Sequence, residues 1–479
     1  MRKLYIVGFI YISFTSQLSA QELDLNACYK IARENNLSLK QATSAQKASI
    51  YNLQAEKNSF LPKVDLLSSY TYMSRPLTIN LQEARDGIVA GSSQQSVEAA
   101  NAVYREITGS DLSPGVQQGI YNTAANVINT LYPNYNPQLA QQSYFLAGIG
   151  VRQPIYLGNK LNAARNLAES TASTATINVD VVQKEIDFLI TVQYLRLMYL
   201  NTLIEKQENI LSAMQNNKRY TDEMVKNDIL PPYQRNWVNV ALSQAKTNLS
   251  SLHLEKQNAI PELNKLLGLA LDNDTKVSDT LRYATIGTSS PNNEFWLQNP
   301  VFQLANSKTA FAKTSEKISK SFSLPNLFAI GNYNLYQRDL PVTIPDWFVG
   351  LELQWTLFNG QTRKRTQAAR QLIEEAELAQ QNTSQTLQVS LLVANNKMKS
   401  LENEVATLDS ARKEAYNTTG MVQKRMQNQL SSPKDLNETL LVQNEIEKAY
   451  YTAVFGYYLS LAEYYNILGD PKQISAYIP

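Results

Sequence analysis

The clearest pattern along the chain is the strict alternation of side chains from residue 347 to residue 358. Odd positions there are all apolar, whereas even positions are small, polar or aromatic. Because side chains two residues apart lie on the same face of a strand, the pattern predicts a β-strand with one apolar face. Segments 145–155, 64–72 and 327–336 are predicted to be strands as well. The apolar row contains Trp347, Val349, Leu351, Leu353 and Trp355, with Phe145, Ile149 and Val151 from segment 145–155.

Such strands fit two surroundings. One is a sheet half-buried on a soluble core. The other is a membrane, where the apolar row faces lipid and Arg152, Glu352 and Gln354 face a wet lumen. Four strands cannot close a barrel, since small closed barrels need about eight, and an open sheet in lipid leaves backbone groups unpaired. If these strands span a membrane, the chain must therefore oligomerise, and three copies would supply twelve strands.

Two long helical hairpins are predicted, at 159–267 and 360–468. Residues 159–218 include neither proline nor glycine, and at a rise of 1.5 Å per residue they would extend for roughly 90 Å. Apolar residues step by three, four and seven, as in Ile177, Val181 and Phe188. This is the seam of helices that pack side by side. Helices of this length suit a tube that crosses an aqueous compartment.

The chain is predicted to contain an internal duplication, with two copies of one structural unit. The motif Gln153–Gly158 aligns with Trp355–Gly360 at a shift of 202 residues, and Asn264–Gly268 aligns with Tyr465–Gly469 at 201. Near the start of each copy the shift is 263, as between Pro62 and Pro325. The change in shift means that the first copy holds an insert of about 60 residues. The predicted division is a first repeat at 21–271, a linker at 272–298 and a second repeat at 299–479.

The insert, 73–143, separates the two strands of the first repeat at the end opposite the helical hairpin. Within it, 97–107 and 119–131 are predicted to be helical. We therefore expect it to face outward as a folded cap that narrows an exit.

The first twenty residues have the form of a secretory signal peptide, with Arg2 and Lys3 ahead of a short apolar run. That run is about eleven residues long, too short for a spanning helix, which needs about twenty. The lone Cys28 follows a sequence that faintly resembles a lipoprotein cleavage box, but a small helix-packing residue is the interpretation we adopt. An exported chain without a later apolar run is periplasmic, secreted or a β-barrel.

Charge and residue usage exclude several classes of function. The chain has 44 Lys and Arg against 42 Asp and Glu, and the signal peptide holds two of the bases and no acid, so the mature charge is zero. Nucleic acid is therefore not expected as a partner. With one histidine and one cysteine, the chain is not expected to form a His/Cys metal cluster or a His-based triad. We expect no cofactor and no enzyme activity.

With these features the chain resembles the TolC-like outer-membrane efflux proteins over essentially the whole mature sequence. The resemblance is carried by the doubled junctions at 153–158 and 355–360, by the hairpin turns and by the order of the elements. It implies a mainly α protein with a small transmembrane β part, assembled as a homotrimer with a twelve-strand barrel in outer-membrane lipid and a helical tunnel in the periplasm. It also implies a passive duct of a tripartite efflux or type I secretion system, with a periplasmic adaptor and an inner-membrane pump of the RND type as partners.

The resemblance also suggests site residues. Each hairpin turn of the family usually carries a glycine, where this chain has Asp228 and Gln429. The turns implied to contact the adaptor are Asn227, Asp228, Ile229, Leu230, Asn428, Gln429, Leu430 and Ser431. A gate is implied at Asp435, Glu438 and Gln234. A ring of carboxylates at a narrow mouth selects for cations, but acids at a helix start also favour the positive end of its dipole, and both interpretations stay open.

A periplasmic coiled-coil adaptor that never enters lipid is the competing hypothesis. Adaptors place their helical hairpin inside small β-domains, and would not contain two copies of paired strands about ten residues long. The substrate of a passive duct is not readable from its sequence.

Overall fold

The structure is a computed structural model that describes residues 22–74, 84–131, 142–278, 281–287, 291–340 and 344–478. The predicted signal peptide, 1–20, lies outside the described residues. The chain divides into two compact units. The first, here called the helical unit, contains residues up to 45, 176–305 and 380–479; the second, the sheet unit, contains 46–175 and 306–379.

Long helices make up most of the described chain. The elements are, in chain order, α1 (Leu25–Asn35), α2 (Leu37–Asn58), β1 (Lys63–Tyr72), α3 (Ala84–Thr108), α4 (Pro114–Leu131), β2 (Ser143–Leu157), α5 (Lys160–Lys226), α6 (Tyr233–Leu267), α7 (Pro300–Ser321), β3 (Asn326–Arg338), β4 (Trp347–Gln354), α8 (Gly360–Gln427) and α9 (Pro433–Ile467). Helices α5 and α8 have 67 and 68 residues. No helix of the described ranges has a stretch apolar and long enough to pass through a membrane.

The strands form one four-stranded sheet in the order β1-β2-β3-β4, antiparallel throughout. Chain neighbours are therefore also neighbours in the sheet, which is the meander expected of hairpin-connected strands. The predicted segments 64–72, 145–155 and 327–336 fall inside β1, β2 and β3, which extend one to two residues further at one or both ends.

The predicted strand 347–358 is too long, because β4 ends at Gln354. Gln354 pairs with Asn326, the first residue of β3. The next residue on that side is Pro325, which has no backbone N–H to donate, so the ladder cannot continue. Trp355 thus lies just beyond the strand, where its indole nitrogen donates to the carbonyl of Ser323 at 3.2 Å.

The helical unit has an aromatic core. Tyr457 and Tyr458 of α9 are almost completely buried, and Tyr458 donates from its hydroxyl to the carbonyl of Arg282 at 2.8 Å. Cys28 of α1 is fully buried in the same core, as its interpretation as a packing residue requires. Burial removes the tyrosine hydroxyls from water and raises the pKa of Tyr458 to about 12.

Two buried asparagines, 263 residues apart, make equivalent contacts in the two halves of the chain. The amide nitrogen of Asn36 donates to the carbonyl of Leu266 at 2.7 Å, and that of Asn299 donates to the carbonyl of Ile467 at 2.8 Å. Each asparagine also accepts a backbone N–H from the start of the following helix. The side chain therefore closes the first turn of one helix and satisfies a carbonyl at the end of another.

Candidate functional site

One face of the sheet is apolar, and many of its side chains are exposed. The strand registers place Leu66 opposite Ile149, and Gly331 opposite both Val151 and Val349. Alternation then brings the apolar side chains of all four strands to the same face. Val349 is 74% exposed, Leu66 69% and Leu351 65%. This face holds the residues predicted to face lipid, namely Phe145, Ile149, Val151, Trp347, Val349, Leu351 and Leu353.

The opposite face carries the residues predicted to line a lumen. The guanidinium of Arg152 lies 3.6 Å from the ring centroid of Phe328, and one of its nitrogens is 3.9 Å from a carboxylate oxygen of Glu352. Both charged side chains are largely buried. Gln354, at the end of the same strand as Glu352, is exposed.

Helices α3 and α4 of the insert lie against this second face. Leu146, Ile330 and Phe348 project from the sheet into an apolar cluster with residues of both helices. Helices α3 and α4 include the predicted stretches 97–107 and 119–131. The insert leaves the sheet at the Tyr72–Ser143 pair, and its helices lie along the sheet face. The predicted outward-facing cap that narrows an exit stays a prediction. The apolar faces of the helices explain the contact, since packing on the sheet removes them from water.

The two hairpin turns share one backbone conformation. Asp228 has φ 56° and Gln429 has φ 63°, the left-handed region. After them, Ile229 donates its N–H to the carbonyl of Met224 at 2.9 Å, and Leu430 donates to Arg425 at 2.8 Å. This six-residue closure is the Schellman end of a helix, which glycine usually provides. The turn geometry therefore accounts physically for a glycine preference at these two positions.

The turns also expose apolar side chains at their tips. Ile229 is 49% exposed and Leu430 is 64% exposed. In the second turn, the guanidinium of Arg425 donates hydrogen bonds to the carbonyl of Leu430 and to the hydroxyl of Ser431, both at 3.2 Å. Asn227 and Asn428 are exposed. All eight predicted turn residues thus lie within 227–231 and 428–431, between the paired helices.

The three predicted gate residues have different local roles. Asp435 forms a capping box with Ser432, since its carboxylate accepts the N–H of Ser432 at 2.8 Å and its own N–H donates to the Ser432 hydroxyl at 3.2 Å. Glu438 is exposed and lies 3.6 Å from the ammonium of Lys434. Gln234 is half-buried near the start of α6. Asp435 thus has a helix-capping role in the single chain.

Polar residues near the turns were missed by the sequence reasoning. Asn217 of α5 is buried, and its amide donates to Asn437 at 2.8 Å and to the carbonyl of Pro433 at 3.0 Å. Asp222 forms ion pairs with Lys218 at 2.7 Å and with Arg235 at 2.9 Å. The hydrogen bond from Lys218, helped by the charge of Arg235, lowers the pKa of Asp222. Only the i,i+4 spacing of Lys218 and Asp222 was visible in the sequence.

A half-buried carboxylate further along α9 was also missed. Glu447 lies 4.0 Å from Arg412, whose guanidinium stacks 4.1 Å from the centroid of Tyr450. Desolvation raises the pKa of Glu447 despite the nearby positive charges. Glu447, Lys206, Gln207 and other polar residues line a cavity of about 260 Å³ in the helical unit.

Replacing Gln429 by glycine is expected to stabilise the protein by about 1 kcal/mol, because a left-handed conformation costs an L-residue roughly 1–2 kcal/mol and glycine almost nothing. Thermal unfolding of the detergent-solubilised protein, followed by circular dichroism, would measure the change. Asp228→Gly is the matched control, with a smaller gain expected because aspartate tolerates this region better. A lower melting temperature for Gln429→Gly would contradict the strain argument.

Neither a family model nor a curated protein matches the chain. Solved structures do match. The outer membrane channel CmeC of Campylobacter jejuni aligns with a TM-score of 0.71 at 15% identity, covering 95% of this chain and 90% of that one. The outer membrane protein VceC of Vibrio cholerae aligns with a TM-score of 0.68 at 13% identity, covering 93% and 96%.

The open state of the MtrE outer membrane channel of Neisseria gonorrhoeae gives a TM-score of 0.70 at 14% identity, covering 93% of this chain and 89% of that one. Agreement over nearly the full length of both chains shows that they share a fold. The prediction of a mainly α chain with a small β part is therefore confirmed, and the chain has the fold of these outer membrane proteins. The trimer and the twelve-strand barrel stay predictions.

Proposed function

We propose that this chain is the protomer of a homotrimeric outer-membrane channel, a passive duct through which exported substrates leave the cell. The observation that carries the proposal is the bare apolar face of the four-stranded sheet. Side chains such as Val349 and Leu351 are more than 60% exposed there, and an apolar patch that spans four strands is far larger than the isolated apolar residues of ordinary surfaces.

The apolar face of the sheet is suited to contact with lipid hydrocarbon. The two edges of the sheet, however, must also be paired before it can lie in a bilayer. β1 and β4 are the outer strands of the order β1-β2-β3-β4, so among the described residues each has one edge without a ladder partner. Unpaired backbone groups in lipid cost several kcal/mol each, which excludes an open sheet from a bilayer. Pairing β4 of one protomer with β1 of the next closes the wall, and three protomers give twelve strands.

The helical hairpins complete the duct on the periplasmic side. Helices α5 and α6 form one hairpin, and α8 and α9 form the other, and each ends in an exposed turn that presents an apolar tip, Ile229 or Leu430. We assign these turns, 227–230 and 428–431, to contact with a periplasmic adaptor that links the duct to an inner-membrane pump of the RND type. Asp435, Glu438 and Gln234 are the proposed gate at this end. The duct itself needs no catalytic residue and no cofactor.

The outer-membrane fraction of cells that express the full chain is expected to contain a trimer that resists detergent and dissociates only on heating. The cause is the shared barrel wall, whose backbone hydrogen bonds must all break together. Gel electrophoresis of heated and unheated samples measures the transition. A chain recovered as a monomer without detergent would contradict the proposal and favour a periplasmic protein.

A further inference from the structure

The connection between β1 and β2 is much longer than a simple duct requires. In the second repeat the equivalent strands, β3 and β4, are joined by residues 339–346 alone, whereas β1 and β2 are separated by 73–142. Helices α3 and α4 from this longer connection lie against the sheet face that carries Arg152 and Glu352. We propose that helices α3 and α4 of the insert form a plug that occupies the interior of the barrel and obstructs the exit, an inference that rests on the proposed channel.

The two faces of the sheet determine the side of the wall on which the insert lies. The face with Val349 and Leu351 is bare and apolar, so in a closed barrel it must be the face toward lipid. The face covered by α3 and α4 is then the inner one. Strand alternation allows no other assignment, because Gly350 lies between those two residues and its Cβ position is 3.9 Å from a methyl group of Val116 in α4.

The side chains of the inner face are typical of a surface packed against other protein elements and not of one that lines a water-filled lumen. Leu146 and Ile330 are 3% exposed, and the ring of Phe348 lies 5.7 Å from the ring of Tyr104 in α3. Barrels that conduct water have polar interiors. Apolar side chains on the inner wall are therefore expected only where another element buries them, and α3 and α4 do so.

Helices α3 and α4, the part of the insert that the structure describes, are joined by a hydrogen-bonded connection. Asp111, between the two helices, accepts from Arg105 at 2.6 Å and from Asn101 at 3.0 Å. Asn101 in turn accepts the N–H of Leu112 at 2.6 Å. These bonds fix the α3–α4 connection, so the helices are held as one hairpin against the wall.

Size supports obstruction. A helix with its side chains is about 10–12 Å across, and a twelve-strand barrel lies between the eight-strand barrels filled by side chains and the 16-strand barrels that leave a channel. A helical layer from each of three protomers would leave little of such a lumen open. The contact is also imperfect, since a cavity of about 230 Å³ remains between Tyr104, Phe348 and Asn334. Loose packing lowers the cost of displacing the hairpin.

A disulfide across the contact tests the position of the insert. In a Cys28→Ala background, Val116→Cys with Gly350→Cys is expected to form an intrachain disulfide in isolated outer membranes under mild oxidation, detected by mass spectrometry. Val116→Cys with Val349→Cys is the matched control and should not form one, because residue 349 faces away from α4. Absence of the 116–350 disulfide, or equal yields for both pairs, would overturn the proposal.

Excision tests obstruction. Residues 73–142 are replaced by Asn-Gly, a two-residue turn that suits the paired Tyr72 and Ser143. A cysteine at position 330, introduced as Ile330→Cys, is labelled on intact cells with a polyethylene glycol maleimide. We expect labelling on the order of tenfold faster after excision, since a buried site becomes open, and no labelling of Val349→Cys in either background.

The outcomes separate the two proposals. Equal labelling of Ile330→Cys before and after excision overturns the plug but leaves the channel standing. If the excised chain fails to assemble, Ile330→Cys in the full-length chain decides the question, because labelling as fast as that of free cysteine would overturn the plug. An unmodified chain that forms no heat-dissociable trimer overturns the channel, and the plug falls with it.

Discussion

Leu351→Arg is expected to abolish assembly in the outer membrane. Leu351 is 65% exposed on the apolar face and lies four residues from both Trp347 and Trp355. Tryptophans mark the two interfaces of a bilayer, so this position is placed near the middle of the hydrocarbon. An arginine at mid-depth on a lipid-facing strand costs about 2–4 kcal/mol, and a trimer carries it three times. The heat-dissociable trimer should fall below detection on a gel of the outer-membrane fraction.

Gln354→Arg is the matched control, because it adds the same charge to the same strand on the opposite face. Gln354 is already exposed and polar, so we expect trimer yield close to that of the unmodified chain. Equal yields for the two variants would contradict the assignment of faces. Loss of both trimers would instead show that β4 tolerates no added bulk, which Leu351→Gln would then test without a charge.

Much of the sheet could be predicted because the two faces of a strand appear in its sequence as alternating apolar and polar residues. The alternation from Trp347 to Leu353 gave the correct apolar row of β4. The same period in β2 gave a second row on the same face of the sheet, with β3 paired between the two strands. The long helices were equally readable, since α5 lacks proline and glycine through residue 218. The strand alternation and the lack of helix breakers are both local properties of the sequence, so they can be recognised without knowledge of the tertiary structure.

Features that depend on a neighbour were harder to predict. The end of β4 depends on Pro325, a residue in the adjacent strand region, so the apolar alternation alone extended the strand to residue 358. The insert's helices were predicted, but periodicity cannot show which surface an apolar helix face will meet, and the contact with Phe348 was missed. For the gate, the spacing of Ser432 and Asp435 was a visible capping-box signature, and it would have shown the structural role of Asp435 in advance.

Gly268→Ala is expected to destabilise the protein by about 2–5 kcal/mol, which extends to the upper range of single substitutions. Gly268 closes α6 with φ 70°, and a Cβ there would lie 2.5 Å from the backbone carbonyl of Asn35. Alanine would pay roughly 1–2 kcal/mol for the left-handed conformation. The backbone at Asn35 must also move, which breaks the Asn36–Leu266 hydrogen bond and leaves a half-buried carbonyl unpaired at about 1–3 kcal/mol.

The duplicated fold supplies graded controls for this prediction. Gly469 is the counterpart of Gly268 in the second repeat, with φ 87°, but its Cβ position is 3.1 Å from the carbonyl oxygen of Gln298, so Gly469→Ala should cost less. Gly420 lies inside α8 with nothing within 4 Å of its Cβ position, and Gly420→Ala should stabilise the helix by about 0.5–1 kcal/mol. Melting temperatures in detergent should therefore rise from Gly268→Ala through Gly469→Ala to Gly420→Ala. A Gly268→Ala protein as stable as the unmodified chain would show that α1 does not pack against the end of α6 as described.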